Sequence, residues 1–297
     1  MSISRQTLSV VIVTFKSDLV IDDCIQSISD QINIIVVDNS NDEIFKKYLE
    51  DKYNNVKCIL SSENLGMGPG NNLGLKYVKT DFAMILNPDV ILEKNTIQEI
   101  INESKKINSF AMLAPLSDNK KYPNYKIDKK KPSDLNRVNH FKVTSIDGYA
   151  MILNLKRLNQ YETFKDNKYF DENFFMYLEN DDLCKRLNKK SENIFVIQKA
   201  KIKHLGAKAV NEKYAYEVEL SRNWHWMWSK FYYNKKHFGF VIAVLKGLPN
   251  FVSSTLKYLL YRFINKNKKR EIYLQRVLGF INAFMGKSSF YRPKIEG

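Results

Sequence analysis

The chain has 297 residues, 44% of them hydrophobic and 27% charged, enough for one large α/β domain plus an appendage around a real core. Its net charge is +15, and residues 204–297 hold 17 Lys and Arg against 5 Glu and no Asp, so basicity belongs to the C-terminal third. No apolar run reaches the roughly 18 residues of a spanning helix, and Cys24, Cys58 and Cys184, scattered and without a CxxC pair, exclude a disulfide framework and a zinc site.

The opening Met-Ser-Ile-Ser-Arg-Gln leads into an apolar stretch too short for a signal-peptide core, with no small-residue cleavage site after it. The expected compartment is therefore the reducing cytoplasm, with buried free thiols. Leu8–Thr14 is a continuous apolar, β-branched run, as in a strand covered on both faces. Leu19, Asp23, Cys24, Ile25 and Ile28 follow at helical spacing. Residues 32–37 predict a second buried strand, Glu43–Lys52 a helix and Val56–Leu60 a third strand. Residues 71–78 predict a helix, Phe82–Leu86 a fourth strand, and residues 91–107 a helix opening near Asn95 and Thr96. This alternation predicts a parallel sheet wound by right-handed crossovers, with ligands beyond the C-terminal ends of its strands. Residues 117–142, with Lys120, Lys121, Lys126, Lys129, Lys130, Lys131 and two prolines, predict a polar loop that either closes over substrate or is merely solvated. Residues 144–153 are strand-like around Gly148, an acidic segment follows, and residues 193–198 form a further strand. Beyond Lys213 the chain becomes helical and aromatic.

The strand ends that the topology singles out are Thr14-Phe15, Asp38-Asn39-Ser40, residues 61–64 and Asn87-Pro88-Asp89. Asp38 can accept hydrogen bonds from a base N–H or a ribose hydroxyl; the structural alternative is an Asp turn after a strand. Residues 63–74, ENLGMGPGNNLG, contain Asn64, Gly66 and Asn71. Such glycine density allows close backbone approach to a ligand and leads to a helix N-terminus, where anions are favoured. A dinucleotide fingerprint is excluded, because the acid precedes the glycines and these follow the third strand. Pro88 stops the fourth strand and presents Asp89 beyond it. An Asp beside an amide oxygen suits a hard divalent cation shared with phosphates, and the same tripeptide is also a common turn. Between residues 169 and 186 an aromatic run delivers Glu179, Asp181 and Asp182. Carboxylates set against apolar rings make a dry, pKa-shifted base, or simply an acidic helix start that meets the positive end of the dipole. His204 lies between this segment and the basic tail, where a lone histidine is either structural or a ligand.

Together these segments resemble a family-2 glycosyltransferase of the GT-A fold, in the rhamnosyltransferase-like branch that builds bacterial surface polysaccharides. The matching pieces are VVIVTFK at 10–16, VVDNS at 36–40, NLGMGPGNNLGL at 64–75, LNPDV at 86–90, GYAMILN at 148–154, FDENFFMYLENDDLCKR at 170–186 and His204-Leu205-Gly206. The resemblance implies a mostly parallel central sheet flanked by helices over residues 1–210. Its nucleotide-sugar half would end near 115 and its acceptor half near 210, with a helical, basic extension over 211–297. It implies that Asp38 contacts the base, with Thr14, Phe15, Asn64, Gly66, Asn71 and Asn87 also in the donor site and the sugar near Gly148. Asp89 would stand at the metal-binding acid, with His204 near the metal or the diphosphate. The implied cofactor is Mg2+ or Mn2+, and the implied donor a dTDP- or UDP-sugar, rhamnose or similar. The implied acceptor is a glycan or polyprenyl-diphosphate-linked sugar. Two departures stand out. The DxD position reads Asn87-Pro88-Asp89, with one acid. The family's usual base position reads Asn180, which cannot accept a proton, so the base role is expected at Glu179, with Asp182 and Asp181 as competitors.

In the tail, Phe251, Val252, Thr255, Leu256, Leu259, Leu260, Phe263 and Ile264 fall on one helical stripe, flanked by Lys257, Arg262, Lys266, Lys268, Lys269 and Arg270. This predicts a helix lying on the anionic inner face of a plasma membrane, or an amphipathic helix packed on the catalytic domain with its cations in solvent. Nucleic acid is not the expected partner, because that reading leaves Asp38, Asp89 and the acidic segment unexplained. A sugar nucleotidyltransferase would carry a basic glycine-rich loop where Thr14-Phe15-Lys16-Ser17 stands. An inactive glycosyltransferase-like protein is the alternative that Asn180 keeps open.

Overall fold

The computed structural model describes residues 2–119, 122–128, 138–206 and 208–295; Lys120, Lys121, Lys129, Lys130 and Lys131 of the expected loop lie outside them. The chain divides into two compact units. One comprises Met1–Leu65, Pro69–Asp171 and Asn180–Asn211, the other Gly66–Gly68, Glu172–Glu179 and Glu212–Gly297.

The first unit is built on strands β1 (Leu8–Thr14), β2 (Asn33–Asp38), β3 (Val56–Leu60) and β4 (Phe82–Leu86), alternating with helices α1 (Ile21–Gln26), α2 (Glu43–Lys52) and α3 (Met67–Leu75). After these come β5 (Val90–Leu92), α4 (Thr96–Ser104), β6 (Met112–Ser117), β7 (Tyr125–Lys126), β8 (His140–Lys142), β9 (Ser145–Ile146), β10 (Ala150–Asn154), α5 (Leu155–Leu158), α6 (Glu179–Lys189) and β11 (Ile194–His204). The main sheet runs β3-β2-β1-β4-β10-β6-β11-β5, with β8 also on β11. The four strands predicted to be parallel are so, β1 taking β2 and β4 as neighbours. Every residue of β1 and β4 is buried, which is why both read as largely apolar runs, Ser9 and Thr14 being the polar members of β1. The rest of the sheet is mixed: β10 runs antiparallel between β4 and β6, and β5 antiparallel to β11.

Local signals account for several boundaries. The Asp42 carboxylate accepts from the N–H groups of Ile44 and Phe45, both at 3.0 Å, and so starts α2. A Cβ at Gly74 would stand 2.4 Å from Val11 Cγ1, and one at Gly70 would stand 3.0 Å from Val13 Cγ1. These glycines are spent on bringing α3 down onto β1. The three free cysteines are buried, and burial pushes the Cys58 thiol up to about 12 and Cys184 to about 11.

Three expectations need correction. Of the helical range expected over 91–107, only Thr96–Ser104 is helix, opening where expected at Asn95 and Thr96, because Val90–Leu92 pairs as a strand with the end of β11. A three-residue apolar run fits either period, and here the neighbouring strand decides. The strand expected over 193–198 continues to His204 through a register shift between Ile197 and Lys201 that breaks the alternation. The segment over 117–142 is not all loop: β7 pairs with β9, and Asn124, fully buried, donates to the Pro115 carbonyl and accepts from the Ser117 N–H.

The second unit contains helices α7 (Ala215–Phe238), α8 (Phe240–Phe263) and α9 (Asn267–Phe284). Gly239, at φ +88°, turns the chain between α7 and α8. Its core joins Trp224, Met227, Trp228, Phe231, Ala243 and Phe280. A Cβ at Gly279 would stand 2.2 Å from the Trp224 carbonyl oxygen, so α7 and α9 meet backbone to backbone. Phe251, expected on one stripe with Val252 and Leu256, lies 4.8 Å from the Phe280 ring and packs inward, while Val252 and Leu256 are exposed.

Candidate active site

Asp38 ends β2 nearly fully buried, in register with Thr14 at the end of β1. Its Oδ1 accepts from Thr14 Oγ1 at 3.1 Å and from the Ser40 N–H at 3.2 Å, and its Oδ2 from the Asp42 N–H at 3.0 Å. Burial nonetheless raises its pKa above the ordinary value. The turn role and a ligand-binding role are compatible, since a carboxylate offers about four acceptor sites. Phe15 is half-buried beside Lys16, whose N–H donates to Ser40 Oγ at 2.8 Å.

At the end of β4, the Asn87 N–H donates to the Tyr149 carbonyl, and the Val90 N–H closes the turn onto the Asn87 carbonyl. Pairing of β5 with β11 sets His204 opposite Val90, and this register brings the imidazole to Asp89. His204 Nε2 lies 3.4 Å from Asp89 Oδ2, and the ring stacks on Tyr149 with centroids 4.1 Å apart. Asp89 is buried; its Oδ1 and Asn87 Oδ1 have no hydrogen-bond partner among the described residues. Among the described residues no cluster of three or more metal-ligating side chains occurs. A cation at Asp89 would therefore share its coordination with substrate oxygens, as Mg2+ ordinarily does.

Gly148 lies in the turn that leads from β9 into β10, between Asp147 and Tyr149. Burial and the charge of Asp181 raise the pKa of Asp147, while Lys126 and His204 act the other way. Burial also pushes the Tyr149 hydroxyl up to about 12.

The acidic residues of α6 divide by environment. Asp181 Oδ1 accepts from Ser145 Oγ at 2.7 Å and from Lys126 Nζ at 2.8 Å. Asp182 is fully buried and accepts from Arg186 Nε at 2.8 Å, while that guanidinium lies 5.0 Å over the Phe164 ring and donates to the Tyr169 carbonyl. Asn180 donates to the Ile146 carbonyl at 2.8 Å. In this unit Asn72 also grips the aromatic segment, donating to the Phe170 carbonyl and accepting its N–H. Sequence reasoning missed the roles of Asn72, Ser145, Asp147 and Tyr149. The adjacency of Asn72 and Tyr149 to Asn71 and Gly148 in the quoted motifs was the available signal. Asn71 is buried, with its Oδ1 lacking a partner among the described residues, and Asn64 is half-buried.

Glu179 belongs to the second unit, where it is 8% exposed and opens α6. Two non-glycine residues in the left-handed region precede it, Tyr177 at φ +71° and Leu178 at φ +68°. Such residues cost about 1–3 kcal/mol each and gather at functional sites. Gly66 serves the same segment: at φ +77°, its absent Cβ would stand 2.2 Å from the Phe175 carbonyl oxygen, which accepts the Met67 N–H.

Comparison with known proteins bears on the family and the fold. The family described as glycosyl transferase family 2 matches residues 9–176. Among curated relatives, the low-salt glycan biosynthesis hexosyltransferase Agl10 of Haloferax volcanii is 25% identical over 63% of this chain and 63% of its own length. Rhamnosyltransferase WbbL of Escherichia coli K12 is 28% identical over 52% of this chain and 66% of its own. The chain thus spans just under two thirds of these relatives. Two solved structures share the fold. Staphylococcus aureus TarS 1-349 has a TM-score of 0.50 at 15% identity, over 96% of this chain and 93% of that one. GalNAc-T7, crystallised with UDP, GalNAc and Mn2+, has a TM-score of 0.54 at 14% identity, over 67% and 43%. The mixed sheet with flanking helices is the GT-A fold, and the chain belongs to glycosyl transferase family 2.

Proposed function

We propose that the protein is an inverting glycosyltransferase that moves a hexose, rhamnose or a similar sugar, from a nucleoside diphosphate to a glycan or polyprenyl-diphosphate-linked acceptor. The catalytic part spans residues 1–210, and residues 211–297 form a helical extension. The observation that carries this reading is Asp89, buried beside His204 with one carboxylate oxygen lacking a hydrogen-bond partner among the described residues. A buried carboxylate without a donor is costly and calls for a cation or a ligand. Asp38 stands two strands away, and neighbouring strands lie about 4.8 Å apart, so a nucleoside reaches from one strand end to the other.

In this reading Asp38 binds the base or ribose of a dTDP- or UDP-sugar, helped by Thr14 and Phe15. Asn64, Gly66, Asn71, Asn87 and Gly148 complete the donor pocket. Asp89 and His204 are the residues that would hold Mg2+ or Mn2+, which when bound neutralises charge developing on the diphosphate. Glu179 accepts the proton of the attacking acceptor hydroxyl, and the nucleotide departs from the opposite face, which inverts the anomeric centre. Asp181 and Asp182, engaged with Lys126 and Arg186, position α6 rather than compete for that proton.

The test is thermal stabilisation across dTDP-, UDP- and GDP-sugars, each with and without Mg2+ or Mn2+, followed by transfer assays with any donor that binds. Stabilisation by at least one donor, enhanced by cation, is expected. Indifference to all of them would remove the reading.

A further inference from the structure

Helix α8 turns Ala243, Gly247 and Ser254 inward, and all three are buried. Its opposite side is apolar and open. Val241 is 68% exposed, Leu245 61%, Leu256 62% and Phe263 90%, with Val252 and Leu259 about half exposed between them. These positions recur every three or four residues, so they form one face along the helix. Over 24 residues that face is about 36 Å long, too continuous to be the scattered apolar surface of an ordinary monomer.

The charge around it has one sign. Between Glu219 and Glu271 there is no Asp or Glu, against eleven Lys and Arg. Lys246, Lys257 and Arg262 border the apolar face and are exposed, and Lys266, Lys268 and Lys269 stand exposed just past its end. This charge selects the occupant. A second copy of the helix would bring two cationic borders together, and a nucleic acid would set phosphates against leucines. An anionic bilayer satisfies both features, with apolar side chains in the acyl boundary and long cationic side chains among the headgroups. No helix among the described residues is long and apolar enough to cross a membrane.

We propose that α8 lies in the plane of a bilayer bearing anionic headgroups and docks the chain there through Val241, Leu245, Val252, Leu256, Leu259 and Phe263. The proposal concerns the helical unit alone and does not rest on the transferase reading.

The experiment is sedimentation of the full chain with phosphatidylcholine vesicles containing increasing phosphatidylglycerol, over a salt series. Binding that grows with phosphatidylglycerol and falls with salt is expected. Leu245→Glu with Leu256→Glu alters only exposed positions and should lower partitioning at least tenfold. Replacing Lys266, Lys268 and Lys269 by Gln should lower it by about fivefold per residue and flatten the salt dependence. Stabilisation by nucleotide-sugar, measured on the same samples, should be equal in all variants, which separates this test from that of the transferase. Equal partitioning of the wild type and the Leu245→Glu, Leu256→Glu variant would overturn the proposal. So would a wild-type dimer that this variant dissociates without any vesicle binding, or RNA binding that survives the variant while vesicle binding is absent.

Discussion

The side-chain amide of Asn180 donates to the main-chain carbonyl of Ile146 across 2.8 Å, tying the first turn of α6 to β9. At this position the resemblance leads one to expect the catalytic acid. The contact explains why an amide is accepted here, since an ionised carboxylate would set negative charge against a carbonyl oxygen and could donate no hydrogen bond to it. Asn180→Asp should therefore lower stability by about 1–3 kcal/mol at neutral pH. The loss should shrink on acidification, because a protonated acid can again donate to Ile146. Urea denaturation at neutral pH and near pH 4 measures both effects; an Asp variant as stable as the wild type at neutral pH would contradict the assignment.

Asp89 gives the opposite balance between stability and function. Its carboxylate is buried with one oxygen lacking a partner among the described residues, so replacing it by Asn removes a buried charge and should leave thermal stability equal or higher without ligands. The same Asp89→Asn change should lower transfer by roughly two to three orders of magnitude, comparable to losing one group that stabilises transition-state charge. It should also abolish the effect of Mn2+ or Mg2+ on nucleotide binding. Calorimetric titration with and without cation reads the second effect, and a persisting cation effect would place the metal elsewhere.

Glu179→Gln keeps the shape and removes the proton acceptor. Turnover should fall roughly two to four orders of magnitude, the usual range for a general base, while donor binding is nearly unchanged. Initial rates set beside donor affinities check this, and full activity would move the base to another residue.

His225 makes the helical unit acid-sensitive. Its Nε2–H donates to the Tyr291 carbonyl at 2.7 Å, its ring stacks 4.4 Å from Phe175, and its Nδ1 is buried without a partner among the described residues. Burial, with Arg292 nearby, pushes its pKa down from 6.5 to about 3. The unfolded chain thus takes up a proton below about pH 6.5 that the folded chain refuses until about pH 3. Stability from this group is complete above that range and falls as pH drops through it, by about 1.4 kcal/mol per unit. His225→Gln keeps an Nε2–H donor and has no such titration, so its stability relative to wild type should improve steadily from neutral pH toward pH 5. Parallel curves for the two proteins would refute the link.

Local pattern was enough to locate β1, β2 and β4 and the acids at or beyond their ends, because a strand covered on both faces must be mostly apolar. Asp38 and Asp89 were legible for the same reason, as polar residues that terminate such runs. The exposed residues of α8 were only partly legible. Helical spacing grouped Phe251 with Val252 and Leu256, whereas packing against Phe280 draws Phe251 inward and leaves the others open.

Short-range periodicity and contiguous motifs were sufficient for the alternating strands and helices of the first half, the family and the chemical types at the strand ends, but not for β5 or β7. The tertiary structure decided which distant groups meet. It inserted β10 antiparallel beside β4, brought His204 to Asp89 through the pairing of β11 with β5, and set Asn180 on Ile146. Those contacts depend on strand register and on connections many residues long, and no local spacing encodes which strand a given edge will accept.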